Sequence, residues 1–242
     1  MRIFNGFCIK VNSIFAAMQD LPFINFQGYV LLEPMNFVTD ALIGLACAVY
    51  VFKMWQDNPK DLDSKLYRTF FIMVGLSSFF GGLTHLFAHY LDGISLRVLT
   101  WSLLGVGVFT FELATVRKNF KKKVRQILFP VFVFQLIAYF VALYNYMNFN
   151  VVIVNMLLGL FAFIVPIEMS TFFKSKNRGA FFIALGITLT LGSAAIHILQ
   201  LSPHKWFDHK DLAHVVTVFT LLVIYKGTFE RAGKTVPAKN KS

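Results

Sequence analysis

The chain has 242 residues, of which 57% are hydrophobic and only 14% are charged, and its net charge is +11. Soluble domains carry about 25% charged residues, so this composition excludes a water-soluble globular protein. In a membrane protein an excess of lysine and arginine indicates orientation first, and we therefore expect no nucleic-acid partner. Cys8 and Cys47 are too few for a disulfide framework.

Seven segments are apolar and long enough to approach a membrane span, which takes about 20 residues. The chain is therefore predicted to be an all-α membrane protein, a seven-transmembrane helix bundle surrounded by membrane lipids. The segments are 36–54, 69–91, 96–116, 127–146, 151–173, 180–200 and 211–229. They divide the chain into an N-terminal interfacial segment, 1–35, the helical domain, 36–229, and a basic tail, 230–242. Within the first 35 residues we predict a short helix lying in the membrane interface.

The charges of the loops predict how the bundle is oriented. The loops after the first, third and fifth segments, together with the tail, hold 18 of the 23 lysine and arginine residues. Basic loops stay on the cytoplasmic side, so the N-terminus is predicted to lie outside and the C-terminus in the cytoplasm. We predict a multi-pass integral membrane protein, with the bacterial inner membrane favoured and the oligomeric state left open.

Ionisable residues gather at one level of the predicted bundle. All six histidines and Asp40 fall in the outer halves of the segments or in the loop between the sixth and seventh. Such residues are costly in lipid and usually mark a functional cavity or a partner. Helical spacing predicts that Ser78, His85, His89 and Asp92 share one face of the second segment. His204 is predicted to be a solvated loop residue.

These residue types are typical of a zinc site. Imidazole is the commonest metal ligand, and catalytic zinc usually takes three protein ligands and a water molecule. The candidate ligands are His85, His209, Asp211 and His214, with His89 and His197 as secondary candidates. Asp40 and Asp92 are candidate general bases or outer partners of the ligands, and Ser78 could stabilise an oxyanion. Zinc-bound water is a nucleophile near neutral pH, and beside lipid the natural substrate is a lipid amide or ester.

Two carboxylates are predicted to lie at the cytoplasmic side. Glu112 and Glu168 are near the inner ends of the third and fifth segments, within reach of Arg117 and Lys174 respectively. Long basic side chains can extend toward the interface, so an ion pair is expected in each case.

Two stretches resemble motifs of a known superfamily. "SSFFGGLTHLFAHYLD" and "FDHKDLAHVV" are similar to the helix-two and helix-seven motifs of the superfamily of alkaline ceramidases and progestin and adiponectin receptors. Its signature is a Ser and a His on helix two, an Asp, and His-x-x-x-His on helix seven around zinc. The resemblance implies a seven-helix lipid hydrolase and suggests roles for Ser78, His85, Asp92, His209 and His214. The family serine lies four residues before its histidine, where this chain has Gly81.

Other functions are open from the sequence. A receptor or lipid sensor could use the same scaffold without turnover. A haem protein could use His85 with His197 or His214 as axial ligands. A retinal protein is disfavoured because Lys210 and Lys226 lie at the ends of the seventh segment rather than in its middle.

Overall fold

A computed structural model of the chain describes residues 22–57, 61–91 and 93–233. Within these residues seven helices are long and apolar enough to cross a membrane, which confirms the predicted seven-helix architecture. The helices are α1 Pro34–Asp57, α2 Leu62–Leu86, α3 Gly93–Asn119, α4 Lys122–Tyr146, α5 Phe149–Ser175, α6 Arg178–Leu199 and α7 His209–Gly233. The middle of α5, Leu157–Ile164, is π-helical.

A β-hairpin precedes α1. Its strands β1, Phe23–Phe26, and β2, Tyr29–Leu32, pair antiparallel across a two-residue turn. Both turn residues have positive φ, 50° at Gln27 and 86° at Gly28, as tight hairpin turns require. The predicted interfacial helix is therefore wrong for these residues, while 1–21 lie outside the described part. The predicted tail also lies outside it from residue 234 onward.

The second helix is displaced toward the N-terminus relative to its prediction. It begins at Leu62, where the Asp61 side chain caps it by accepting a 2.7 Å hydrogen bond from Ser64 N. It ends at Leu86, so His89 lies in the following turn, where its ring packs 4.8 Å from that of Tyr90. The predicted alignment of His85 and His89 on one helix face is therefore wrong. Asp92 is outside the described residues.

Glycines let α6 and α7 approach until their backbones touch. A Cβ added to Gly227 would lie 2.6 Å from Ile183 N, and one added to Gly179 would lie 2.8 Å from Gly227 O. At a third level, a Cβ on Gly186 would lie 2.9 Å from Ile224 N. Small residues at helix interfaces allow this close packing in membranes. The pair α6–α7 therefore forms a tight seam.

Helix α1 packs between α2 and α7 and brings their ends together. It meets α2 closely at Gly82, where an added Cβ would lie 3.2 Å from Phe37 Cα. The main buried cluster lies among these helices and α3, α5 and α6, and includes Tyr67, Phe71 and Phe111. Helix α4 packs at the side through a smaller cluster centred on Tyr139 and Leu143. The start of α1, the end of α2 and the start of α7 consequently meet at one end of the bundle.

Glu112 and Glu168, the two carboxylates predicted at the cytoplasmic side, contact residues of other helices. Glu168 Oε2 pairs with Arg231 Nη1 of α7 at 2.8 Å, and Arg117 Nε pairs with Asp63 Oδ1 at 2.7 Å. Glu112 accepts a hydrogen bond from Gln135 of α4 instead. The predicted pairs with Arg117 and Lys174 are wrong because these carboxylates point across the bundle rather than along their own helices.

Candidate functional site

The histidine end is the end of the bundle where α1 begins, α2 and α6 end, and α7 begins. Glu33, between β2 and α1, lies at its centre. Its Oε2 is 2.8 Å from His85 Nδ1 of α2, and its Oε1 binds Lys210 Nζ of α7. Lys210 Nζ is also 3.5 Å from Asp208 Oδ2. One carboxylate therefore joins the hairpin, α2 and α7.

Glu33 is held ionised by this arrangement. Burial raises the pKa of its carboxyl, but the hydrogen bonds from His85 and Lys210 and the charge of Lys210 outweigh burial and lower the pKa from 4.5 to about 2. A carboxylate that is paired in this way prefers the folded state over the unfolded one. Glu33 is thus a fixed anion at the histidine end at physiological pH.

Replacing Glu33 by glutamine is expected to destabilise the protein in a pH-dependent way. A pKa that is lower in the folded state stabilises the protein fully above the unfolded value of 4.5. The contribution declines as the pH falls from about 4.5 toward 2, and its full size is on the order of 3 kcal/mol. The thermal midpoints of wild type and Glu33→Gln in detergent should differ at pH 7 and converge as the pH falls toward 3. A gap that stays constant over this range would contradict the account.

Below Glu33, a hydrogen-bond chain fixes the orientation of His214. The Thr39 hydroxyl is 3.1 Å from Asp211 Oδ1 and 2.9 Å from His214 Nδ1. In the tautomer of His214 that donates from Nδ1 to the Thr39 hydroxyl, the hydroxyl proton goes to Asp211 or to a backbone carbonyl of α1. His214 Nε2 is then unprotonated, and it lies 3.6 Å from Asp40 Oδ1.

Asp211 is committed to the start of α7. Its Oδ2 accepts a 2.9 Å hydrogen bond from Asp208 N, and Asp208 Oδ1 accepts a 3.3 Å bond from Asp211 N and a 2.7 Å bond from Lys210 N. This reciprocal pairing is a capping box with aspartate at both of its positions, Asp208 at the N-cap and Asp211 three residues later. Its Oδ1 contacts the Thr39 hydroxyl, which in turn contacts His214, so Asp211 helps to position His214 through Thr39.

The remaining predicted site residues lie apart from these two clusters. The ring of His209 is 5.5 Å from that of His197, and its Nδ1 is 3.3 Å from Ser202 Oγ. Ser78 is partly exposed on α2, two turns before His85. His204 is exposed in the loop, where its Nδ1 accepts a hydrogen bond from Trp206 N. The structure thus brings His85, His214, Asp211 and Asp40 together with Glu33 and Lys210.

The donor set offers two imidazoles and a carboxylate to a metal ion. Metal-binding histidines usually engage one ring nitrogen with an outer partner, as His85 does with Glu33 and His214 does with Thr39. Both therefore keep Nε2 for a ligand, and Asp40 faces that of His214. Among the described residues, no three His, Cys, Asp or Glu side chains are grouped closely enough to hold a metal. Imidazole and carboxylate are suitable ligand types for zinc, but only His214 and Asp40 face each other closely, at 3.6 Å.

Lys210 places a positive charge beside the candidate metal donors. It lies four residues before His214, on the same face of α7. Its ammonium binds Glu33 and lies near Asp208. At this turn the site thus carries a fixed positive charge rather than a third imidazole.

The family is now clear from comparison. Residues 35–232 match the model of DUF6962, a family of unknown function. The chain belongs to this family. The match runs from the start of α1 to the end of α7 and so includes most of the histidine end. No curated protein and no solved structure matches the chain. The resemblance to ceramidases therefore stays a prediction.

Three residues of the site were not predicted from the sequence: Glu33, Thr39 and Lys210. Each carried a local signal. Glu33 stands directly before Pro34, which begins α1, so it lies where a helix end meets the interface. Lys210 is one helical turn from His214, and Thr39 is next to Asp40 in the same predicted span.

Proposed function

We propose that the chain is a metal-dependent membrane hydrolase that acts on a lipid amide or ester at the histidine end. His85, His214 and Asp40 are its candidate zinc donors, which a bound ion would have to draw together, because no three donors are grouped closely enough among the described residues. The observation that carries the proposal is that both imidazoles are held through Nδ1, by Glu33 and by Thr39, so that both Nε2 atoms remain for a ligand. Bound zinc supplies a water molecule whose pKa falls to about 7.

The residues of the chain have separate tasks in this proposal. Thr39 and Asp211 keep His214 in one tautomer and one orientation. Glu33 does the same for His85, and its own position is secured by Lys210. Lys210, one turn from His214, is suited to stabilise negative charge that develops on a carbonyl oxygen of the substrate.

A lipid substrate is supported by the surroundings of the site. The hairpin beside it exposes Phe23, Phe26 and Tyr29, with 53%, 58% and 61% of their surface accessible. Aromatic side chains favour the boundary between lipid headgroups and acyl chains. The basic loops support the orientation with the N-terminus outside, which would place the histidine end at the outer surface.

A second candidate is a lipid-binding sensor without turnover. It is favoured by Lys210, which places an ammonium group beside the imidazoles, and by a small cleft lined by Glu33, Asn36 and Trp206. Asn36 is buried, and its Oδ1 accepts no hydrogen bond from the described residues. A ligand with a hydroxyl or amide N–H donor would satisfy this oxygen.

The experiment measures fatty-acid release by the purified, zinc-loaded protein from ceramide-like lipids and from lysolipids. We expect release that is lost with a chelator and restored by zinc, and an impermeant chelator added to intact cells should also remove it if the site faces outward. Lipid binding without release would reject the hydrolase and support the sensor. A Soret band in the visible spectrum would instead support haem.

A further inference from the structure

A second buried carboxyl lies within the membrane, away from the histidine end. Glu112 of α3 is 1% exposed, and its Oε1 accepts a 2.9 Å hydrogen bond from Gln135 Nε2 of α4. The same Gln135 nitrogen donates to Asn155 Oδ1 of α5 at 3.2 Å. One amide group therefore joins a carboxyl group on α3 to an amide group on α5.

The neighbours of Glu112 provide no opposite charge. Helix α4 presents Gln135, α5 presents Asn155 and Gly159, and α2 presents Phe70, which packs on the adjacent Phe111. Among the described residues no charged group acts on the Glu112 carboxyl. Arg117 of the same helix is paired with Asp63, and Lys118 also lies near that carboxylate.

Glu168 shows how the same fold supplies a counter-charge to a buried carboxyl group. It is fully buried, and Arg231 Nη1 lies 2.8 Å from it. Asn119 Nδ2 adds a hydrogen bond of 3.0 Å. Because an unpaired carboxylate inside a bilayer is costly, the lack of such a partner at Glu112 favours its neutral, proton-bearing form.

The backbone of α5 that faces Glu112 is π-helical rather than α-helical. The π-helical stretch Leu157–Ile164 of α5 contains Gly159, and a Cβ there would lie 2.6 Å from Glu112 Oε1. Glycine thus leaves the space that the carboxyl group occupies. π-Helical turns inside α-helices frequently occur at functional sites.

We propose that Glu112 is a proton-binding site within the membrane, with Gln135 and Asn155 as its fixed polar surroundings. In the neutral form the carboxyl group carries the proton. When the proton leaves to water, the carboxylate remains and its hydrogen bond from Gln135 becomes charge-assisted and stronger. Helix α4, which is held at the side of the bundle, is drawn toward α3 in that state.

The test is infrared spectroscopy of the lipid-reconstituted protein across a pH series. We expect a protonated-carboxyl C=O band at neutral pH that decreases as the pH rises. Glu112→Gln should remove this band, and Glu230→Gln, which changes a partly exposed glutamate of α7, should leave it unchanged. A band of equal intensity in wild type and Glu112→Gln would overturn the proposal, as would a Glu112 band that does not titrate.

Gln135→Leu provides a second variant that keeps the carboxyl group. It removes the hydrogen-bond donor of the carboxylate, so the Glu112 band should shift in frequency and persist to higher pH than in wild type. An unchanged frequency and titration in this variant would overturn the role given to Gln135.

Discussion

Replacing His214 by alanine is expected to remove zinc from the purified protein. The wild type should contain about one zinc ion per chain, the stoichiometry of a mononuclear catalytic site. His214 is the histidine whose Nε2 faces a carboxylate, at 3.6 Å from Asp40 Oδ1, and Thr39 holds its other nitrogen. Alanine removes a direct donor, so mass spectrometry of the metal content should find almost none. Asp40→Asn should lower the content as well.

Two further variants make this result specific. His204→Ala also deletes an imidazole, but His204 is exposed in the loop and contacts Trp206, so its zinc content should equal that of wild type. Glu33→Gln keeps every proposed donor and should weaken zinc binding about 10- to 100-fold, because it alters the partner of His85. A wild-type protein that binds no zinc would reject the hydrolase and leave the sensor as the surviving candidate.

Replacing Arg231 by alanine is expected to lower the stability of the protein strongly. Arg231 is 6% exposed, and its Glu168 partner is completely buried. Removing one member of a buried ion pair leaves an uncompensated charge and typically costs about 3–5 kcal/mol. Arg231 Nη2 also lies 3.1 Å from Asn119 Oδ1, so the loss extends to α3. Unfolding followed in detergent by heat or denaturant should show the decrease.

A surface ion pair of the same chemistry supplies the control. Arg117 pairs with Asp63 at 2.7 Å, but its side chain is 36% exposed. Exposed pairs contribute about 0–1 kcal/mol, so Arg117→Ala should have a small effect. The double variant Glu168→Met with Arg231→Met should recover much of the loss, because no buried charge then remains. Similar costs for Arg231→Ala and Arg117→Ala would contradict the assigned role.

The number and order of the helices could be predicted because the membrane imposes them. Each span needs a long apolar run, and each of the seven runs in the sequence became a helix. The partners of polar residues could not be predicted in this way. They depend on how each helix is rotated about its axis, which is why Glu168 meets Arg231 across the bundle rather than Lys174 on its own helix.

At the site, the level of the histidines in the bundle could be predicted, but their partners could not. The common level of the histidines follows from span positions, and His85 and His214 do lie at one end of the bundle. Glu33 links His85 to Lys210, and this link depends on the hairpin that precedes Glu33. The short apolar stretch around Gln27 and Gly28 does not distinguish a hairpin from an interfacial helix. His209 turns toward Ser202 because a five-residue step rotates it away from His214.

The tight glycine contacts decide how a bulky ligand can enter. The seam between α6 and α7, and the α1–α2 contact at Gly82, cannot part sideways without breaking backbone contact. The hairpin is attached to the turn after α2 by a 2.7 Å hydrogen bond from Val30 N to Tyr90 Oη and by an edge contact of Tyr29 on the same ring. A lipid ligand of the proposed site would therefore enter at the histidine end, where displacing the hairpin also separates Glu33 from His85. In this arrangement, displacement of the hairpin and release of the His85 imidazole from Glu33 occur together.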